Sequence, residues 1–268
     1  MSMPRSSKPE AKAEGSRREQ LAAYFLSVPS PEQQTPEQQT VYYARLRELG
    51  QLEIDEVLQS SGGNRPLLWG NPVPLMQNLL TAAQRLAAGL GQPLFVFPAK
   101  ETAIDFCAML HPRILSLGLL GLLREACRTA PHRPLWVRMQ EQAHCLTVTV
   151  TADAPLNAGD ALRLIQESAR LHKGSLALCG NSVAFSIGRT EEIPSGARPY
   201  VSPTADELLR DTLSPVWTGF FAWLYSPASS AGDSAAGDPA SESPTASASA
   251  PSSESDAPDS DSGSRDEP

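Results

Sequence analysis

Three arginines of the sequence have a spacing that could bind phosphate. Arg113, Arg124 and Arg128 lie in one apolar stretch whose pattern predicts a helix. A guanidinium group matches the oxygens of a phosphate with paired N–H donors. The same spacing is also typical of the solvated edge of a mostly apolar helix, where long side-chain stems cover apolar surface. Of these two interpretations we favour the solvated edge.

Two aspartates and one histidine are the other residues that could do chemistry. Asp153 and Asp160 could form a carboxylate pair, but a turn and a helix N-cap explain them, and we favour that explanation. His172 ends a predicted helix, where it contacts either a ligand or the last carbonyl groups, and we favour the carbonyl groups. No Ser/His/Asp or Cys/His order carries a known signature, so we predict no catalytic residue.

The cysteines argue against a metal knuckle and against a disulfide framework. They lie far apart and form no Cys-x-x-Cys pair, at Cys107, Cys127, Cys145 and Cys179. This usage predicts reduced thiols in a cytoplasmic protein.

The negative charge of the chain is concentrated at its C-terminal end. The chain has 30 acidic and 22 basic residues, a net charge of −8. Residues 227–268 contain six Asp, three Glu and one Arg, which by itself gives −8. The neutral remainder lacks the positive footprint of a nucleic-acid-binding protein, so we expect no nucleic-acid partner. Residues 226–268 have no aromatic or branched aliphatic residue, which predicts a disordered acidic Ser/Ala/Pro tail.

The sequence predicts no membrane-spanning segment. The densest apolar stretch, residues 114–123, is shorter than the roughly 20 residues that cross a bilayer. Residues 1–18 are polar and have no apolar centre, unlike a secretory signal. Residues 1–15 are expected to be disordered.

Two helices are predicted in the region 16–62. Apolar residues with helical spacing predict one helix at 17–27 and a second at 35–59. Between them Pro-Glu-Gln-Gln-Thr occurs twice, at 31–35 and 36–40. Two such short units do not make a repeat protein.

A denser region, residues 72–190, alternates helices with pairs of strands. Helical and period-2 patterns predict a helix from Pro72, a strand at 94–97, a buried helix at 114–129, a hairpin at 135–151, a helix at 160–173 and a hairpin at 176–187. This order predicts an α+β fold. We expect a two-layer sandwich of helices on a mixed, mostly antiparallel sheet, flanked by the N-terminal helices and the disordered C-terminal tail.

An aromatic segment follows at residues 200–225. Thr204 is a predicted N-cap, and Pro215 should kink the helix or start a second one. Its apolar face could bind a partner or a membrane surface, or it could pack on the domain core. We favour packing on the core, because basic residues are few.

The region 72–190 resembles the ATP-binding domain of sensor histidine kinases, in the GHKL superfamily. Residues 162–176 resemble the helix after the ATP lid and its His-Gly-Gly ending, with His172-Lys173-Gly174 in that place. Residues 119–131 resemble the N box, whose Asn residues face the nucleotide, and residues 183–187 resemble the last strand. The resemblance implies a Mg²⁺-nucleotide site.

The sequence departs from the family at the residues that bind ATP. Glu125 stands where an N-box Asn carries Mg²⁺, so it is the candidate metal ligand, and an upstream Asn or acid corresponds to Gly121. Asp153 is followed by Ala154 and Pro155 instead of the Asp-x-Gly-x-Gly glycines. The lid is short, and one glycine remains of the last glycine box. Glu125, Arg128, Asp153 and Gly174 are therefore the vestigial candidates for nucleotide binding.

The phosphoacceptor histidine of the family is also missing from residues 16–62, because every histidine lies further along the chain. We therefore predict a non-catalytic regulatory or protein-interaction module in signal transduction, without a cofactor. A response regulator or a kinase is the implied partner, and the N-terminal helices correspond by position to a dimerisation pair. The alternative is an active, divergent histidine kinase that binds MgATP through Glu125.

Overall fold

The computed structural model describes residues 8–60, 68–99, 106–156, 159–193 and 195–225, with side chains from Arg17 onward. The acidic tail predicted at 226–268 and residues 1–7 lie outside this part of the chain.

The N-terminal region forms two long helices joined by a short 3₁₀ turn. Helix α1 is Lys8–Ser27, the turn is Pro31–Gln33, and helix α2 is Pro36–Gln59. Helix α1 begins at Lys8, within the stretch expected to be disordered, because Glu, Ala and Lys dominate its first turns and are strong helix formers. Thr35 starts α2 with a capping box to Gln38.

From Pro72 to Gly188 the elements follow the predicted order of helices and strands, with one additional short strand at Ala108–Leu110. In chain order the strands are β1 (Leu68–Gly70), β2 (Leu94–Phe97), β3 (Ala108–Leu110), β4 (Leu135–Glu141), β5 (Cys145–Thr151), β6 (Leu176–Cys179), β7 (Ser182–Gly188) and β8 (Arg198–Pro199). The helices are α3 (Pro72–Gly89), α4 (Pro112–Thr129), α5 (Gly159–Leu171), α6 (Ala205–Arg210) and α7 (Ala222–Leu224). No described helix is both long enough and apolar enough to cross a membrane.

The main sheet has the strand order β2-β4-β5-β7-β6. Strands β2 and β4 are parallel, and the other neighbouring pairs are antiparallel. This confirms the predicted mixed, mostly antiparallel sheet of an α+β fold. The hairpin from β6 to β7 turns at Gly180, whose φ of +55° suits the first central position of a two-residue turn of type II′.

One face of the main sheet is buried beneath helices α3, α4 and α5. The buried strand residues alternate with partly exposed ones, as the period-2 pattern predicts. The buried set comprises Leu135, Val137, Met139, Leu146, Val148, Val150, Val183, Phe185 and Ile187. They form one cluster with buried residues of α3 and α4, and this cluster is the core of the sandwich.

A second sheet, with the order β3-β1-β8, was not predicted. Its strands are two or three residues long, so no alternation of apolar and polar residues could develop in the sequence. It joins the start of α3 to the segment that follows β7, through the pairing of Leu68 with Arg198 and of Trp69 with Pro199.

The aromatic segment at 200–225 is not one kinked helix. Thr204 caps the short helix α6, the chain then turns, and a π-helical turn at Trp217–Phe221 leads into α7. The second helical stretch begins at Pro215, which confirms the predicted alternative that Pro215 starts a second helix, since the first turn of a helix tolerates its missing backbone N–H. Val216 and Phe220 are fully buried and belong to the core of the sandwich.

Candidate functional site

The side of α4 that contains Gly118 and Gly121 lies directly against α5. A Cβ atom added at Gly118 would lie 2.9 Å from Cδ1 of Ile165, and one added at Gly121 would lie 2.9 Å from Cβ of Ala161. Both distances are shorter than ordinary van der Waals contact. Two glycines on one face therefore let α4 and α5 pack closely, and α5 fills the space beside Gly121.

Glu125, the candidate metal ligand, is held by two arginines of its own helix. Its Oε1 lies 2.9 Å from Nε of Arg124 and 3.4 Å from Nη1 of Arg128. The Glu125 side chain is 18% exposed, whereas Arg128 is 54% exposed. Arg128 and Glu125 are thus brought together, as neighbours on one helix, in an ion pair that neutralises the carboxylate.

Arg124 is the most buried member of this group, with 6% of its side chain exposed. Its guanidinium carbon lies 4.4 Å from the centre of the Trp223 ring in α7, a cation–π distance. Its Nη1 atom is buried and has no hydrogen-bond partner among the described residues. Burial lowers the pKa of Arg124, and Glu125 opposes that shift. Nothing in the spacing of the sequence indicated the contact with Trp223.

Arg113 lies at the other end of α4 and pairs with helix α2. Its Nη2 is 2.7 Å from Oε2 of Glu56 and 3.9 Å from Oε1 of Glu53. Arg18 of α1 pairs with the same two glutamates. Glu53 is the more buried carboxylate, and its burial raises its pKa. Ion pairs with protein carboxylates therefore occupy all three arginines that could have bound phosphate.

Asp153 and Asp160 have separate partners. Asp153 follows β5 and lies 3.9 Å from Arg133, with about half of its side chain exposed. Asp160 was predicted as the N-cap of this helix, but α5 begins at Gly159, so Asp160 lies inside the first turn, where it contacts Arg163 at 3.3 Å. No hydrogen bond or ion pair joins either aspartate to Glu125 among the described residues.

His172 is buried and connects the end of α5 to the start of α4. Nδ1 lies 2.6 Å from the Ser168 carbonyl oxygen, and Nε2 accepts a hydrogen bond from the backbone N–H of His111 at 3.0 Å. These two partners fix a neutral ring that carries its proton on Nδ1. Burial accordingly lowers the pKa of His172 to about 4. The carbonyl contact matches the sequence interpretation, whereas the contact with His111 was not foreseen.

Gly174 lies in close contact with the backbone of β7. A Cβ atom at this position would lie 1.8 Å from the carbonyl oxygen of Ser186. The neighbouring Lys173 has a positive φ of 52°, so the chain turns sharply between α5 and β6. The close approach of the β7 backbone is therefore sufficient to explain why position 174 is a glycine.

The described residues contain no group of three or more His, Cys, Asp or Glu side chains that could hold a metal ion. Each of the cysteines is a free thiol.

No family model matches the sequence, and no curated protein matches it. Among solved structures, the nucleotide-free catalytic domain of the histidine kinase ThkA is similar to 48% of this chain over 100% of its own length, at 13% identity and a TM-score of 0.39. The Acinetobacter baumannii histidine kinase AdeS is similar to 69% of this chain over 98% of its own, at 12% identity and a TM-score of 0.45.

A third similar structure is ThkA in complex with the response regulator TrrA. It covers 67% of this chain and 60% of its own, at 14% identity and a TM-score of 0.41. These three structures are similar to the chain in fold only, and the similarity assigns no role to any of its residues.

Proposed function

We propose that this chain is a histidine-kinase-like module that has lost nucleotide binding and acts through protein contacts in signal transduction. The support is the sequence resemblance of residues 72–190 together with the order of elements in the sandwich. A buried helix, a hairpin, a second helix and a second hairpin follow one another as the resemblance implies. The residues at the positions that would bind MgATP differ from those of the histidine-kinase family.

The observation that carries the proposal is the contact between α4 and α5. In the family the nucleotide lies against the side of the N-box helix that corresponds to Gly121 and Glu125. Here Ala161 of α5 occupies the space beside Gly121, and no larger residue fits there without displacing α5. An amide side chain at this position would therefore push the two helices apart.

The charge of Glu125 supports the same proposal. Its carboxylate is already neutralised by Arg124 and Arg128. A Mg²⁺ ion would have to replace those pairs and would leave Arg124 buried without its partner, which is unfavourable. The residues present therefore do not fit a Mg²⁺-nucleotide complex.

By analogy with a solved histidine-kinase complex, we propose a protein partner for this chain. The solved ThkA complex contains a response regulator, and we propose that this module contacts a response regulator or a kinase. Pairing of two copies through the N-terminal helices would use their outward faces, because α2 already buries seven residues within its own chain. Leu26 of α1 and Val41 of α2 are 86% and 49% exposed on those helices.

The test is a thermal unfolding measurement with and without MgATP. A ligand at about 100 times its Kd adds roughly 2.7 kcal/mol to the free energy of unfolding, which would raise the melting temperature visibly. We expect no rise at millimolar MgATP, because the nucleotide has no room beside Gly121. MgADP and Mg²⁺ without nucleotide are measured in parallel.

A rise that needs both Mg²⁺ and nucleotide would contradict the proposal and favour the active, divergent kinase. Glu125→Ala would then be the next measurement. If Glu125 is the metal ligand, this variant loses the rise in melting temperature.

A further inference from the structure

We propose that residues 214–225 form a latch that holds the hairpin of helices α1 and α2 on the sandwich, and that the hairpin opens as a unit when this latch is loosened. The latch is anchored on the sandwich, because Val216 and Phe220 are part of the main core.

The hairpin is joined to the sandwich through two small clusters that are separate from the main core. One consists of Ile54 and Val57 of α2 with Ile114, Leu117 and Leu164 of the sandwich. The other consists of Tyr42, Tyr43 and Leu46 of α2 with Ala222 of the latch. Elements that share few buried contacts with the rest of a fold open at a lower free energy than the whole.

Thr218 is the central contact between the latch and α2. Its carbonyl oxygen would lie 2.2 Å from a Cβ atom at Gly50, so only glycine allows this approach. Its hydroxyl lies 3.3 Å from Oε2 of Glu53 in α2 and 3.2 Å from the carbonyl oxygen of Ser214. Thr218 is fully buried, so α2 and the latch fit together without intervening space.

Aromatic residues extend this contact along α2. The rings of Tyr43 and Tyr225 have centroids 4.0 Å apart, and Tyr43 also contacts Phe221 edge to face. The hydroxyl of Tyr225 donates a hydrogen bond to Gln39 at 2.6 Å. These contacts lie on the α2 side of the latch, whereas Phe220 lies on the sandwich side.

Trp223 connects the latch to the end of α4. Its indole N–H donates to the carbonyl oxygen of Thr218 at 2.9 Å, and its ring lies over the guanidinium of Arg124. One residue therefore holds both the carbonyl that meets Gly50 and the arginine that pairs with Glu125. A displacement of Thr218 would therefore move the Trp223 ring and change its contact with the Arg124 guanidinium.

The backbone of the latch also departs from the regular α-helix. Residues Trp217–Phe221 form a π-helical turn, a rare conformation that is found frequently at functional sites. The turn places Thr218 on the α2 side and Phe220 in the core within three residues. The latch therefore connects two differently packed parts of the molecule.

Gly50→Ala tests the proposal, with hydrogen exchange measured by mass spectrometry on the full chain. Alanine forms helices better than glycine, so the change would stabilise α2 if it met no obstacle. Because the new Cβ meets Thr218, we expect the amides of α1 and α2 to exchange at least about tenfold faster. The amides of β4, β5 and β7 should exchange as in the unchanged protein.

Gly89→Ala is the matched control. Gly89 also lies in a helix, but a Cβ atom there has no neighbour within 4 Å, so this variant should not accelerate exchange anywhere. Two outcomes of Gly50→Ala overturn the proposal: no acceleration in α2, or the same acceleration in α2 and the sheet strands. The second would mean that hairpin and sandwich open as one cooperative unit.

Thr218→Val decides the question if Gly50→Ala does not fold. Valine has the same branched shape at Cβ as threonine, but it lacks the hydroxyl that contacts Glu53 and the carbonyl oxygen of Ser214. We expect exchange in α1 and α2 to rise about fivefold, with the sheet strands unchanged. Unchanged exchange in α2, or equal acceleration in the sheet, would overturn the latch.

Discussion

At the scale of single residues, the backbone around His172 fits only the neutral form of its ring. Both ring nitrogens have backbone partners, one an acceptor in Ser168 and one a donor in His111. Protonation would place a second N–H against the N–H of His111. The ring must therefore stay neutral while the fold is intact.

This geometry predicts a loss of stability in mild acid. In the folded chain the pKa of His172 is about 4, below its ordinary value of 6.5. As pH falls from 6.5 toward 4, the unfolded chain takes up a proton that the folded chain refuses, so the free energy of unfolding falls. Between pH 7.5 and pH 5 the loss due to His172 should be about 2 kcal/mol. Urea unfolding at the two pH values measures it.

His172→Gln provides the comparison, because an amide can also donate to one backbone group and accept from the other. In this variant the part of the pH dependence that belongs to His172 should disappear. His144→Gln removes an exposed histidine and should keep the full dependence. An equal loss in all three proteins would mean that His172 does not remain neutral in the folded chain.

The sequence identified Glu125 as unusual, because it stands where the histidine-kinase family has an Asn. It did not identify the residues that Glu125 contacts. Arg128 is one helical turn away and was a visible neighbour. Trp223, which covers Arg124, is distant in sequence and became a neighbour only when the latch folded onto α4. Contacts between distant segments depend on tertiary packing, and no spacing in a single sequence encodes them.

At the scale of elements, packing alone accounts for the glycine at position 174. The glycine lies where the chain passes from α5 to β6 beneath the carbonyl of Ser186. The resemblance to the His-Gly-Gly motif made it a candidate for nucleotide binding, yet the backbone of β7 already requires it.

Gly174→Ala should therefore destabilise the protein whether or not nucleotide is present. A Cβ atom there would lie 1.8 Å from Ser186 O, so β7 or the end of α5 must move, at a cost of about 2 kcal/mol or more. Gly180→Ala is a useful comparison, because Gly180 has open space but a positive φ, and it should cost about 1 kcal/mol. Urea unfolding separates the two costs, and a Gly174→Ala protein as stable as the unchanged chain would refute the packing role.

Elements with a long and regular pattern were predicted well from the sequence. Strands β4 and β5 alternate buried and more exposed residues over seven residues each, and α4 has a continuous apolar surface. Strands β1, β3 and β8 are too short to have a period, and they form only because distant segments meet. The π-helical turn also depends on its neighbours, since Gly50 and Trp223 fix Thr218 from outside the turn.

At the scale of the whole molecule, three apolar clusters of unequal size organise the described part of the chain. The largest lies inside the sandwich, and the two smaller ones join the hairpin to it. The sequence predicted two N-terminal helices and the sandwich but left open whether those helices pair between chains or pack on their own domain. In the structure they pack on their own domain, because α2, the latch and α4 share complementary aromatic and charged surfaces.

The same organisation bears on the proposed loss of nucleotide binding. Helix α5 lies against α4 at Gly118 and Gly121, and Trp223 of the latch lies over Arg124 on the same helix. We propose that a nucleotide at Gly121 and Glu125 would have to displace α5 and break the pair between Arg124 and Glu125. Both changes cost free energy that a ligand would have to supply from its own contacts.

Equilibrium dialysis of the purified full chain against radiolabelled ATP in excess Mg²⁺ tests this account most directly. We predict that ATP reaches the same concentration on both sides of the membrane up to about 1 mM, since a Kd above that value corresponds to less than about 4 kcal/mol of binding free energy. Saturable, Mg²⁺-dependent retention of one ATP per chain below that concentration would contradict the account and show that α4 and α5 still enclose a nucleotide site.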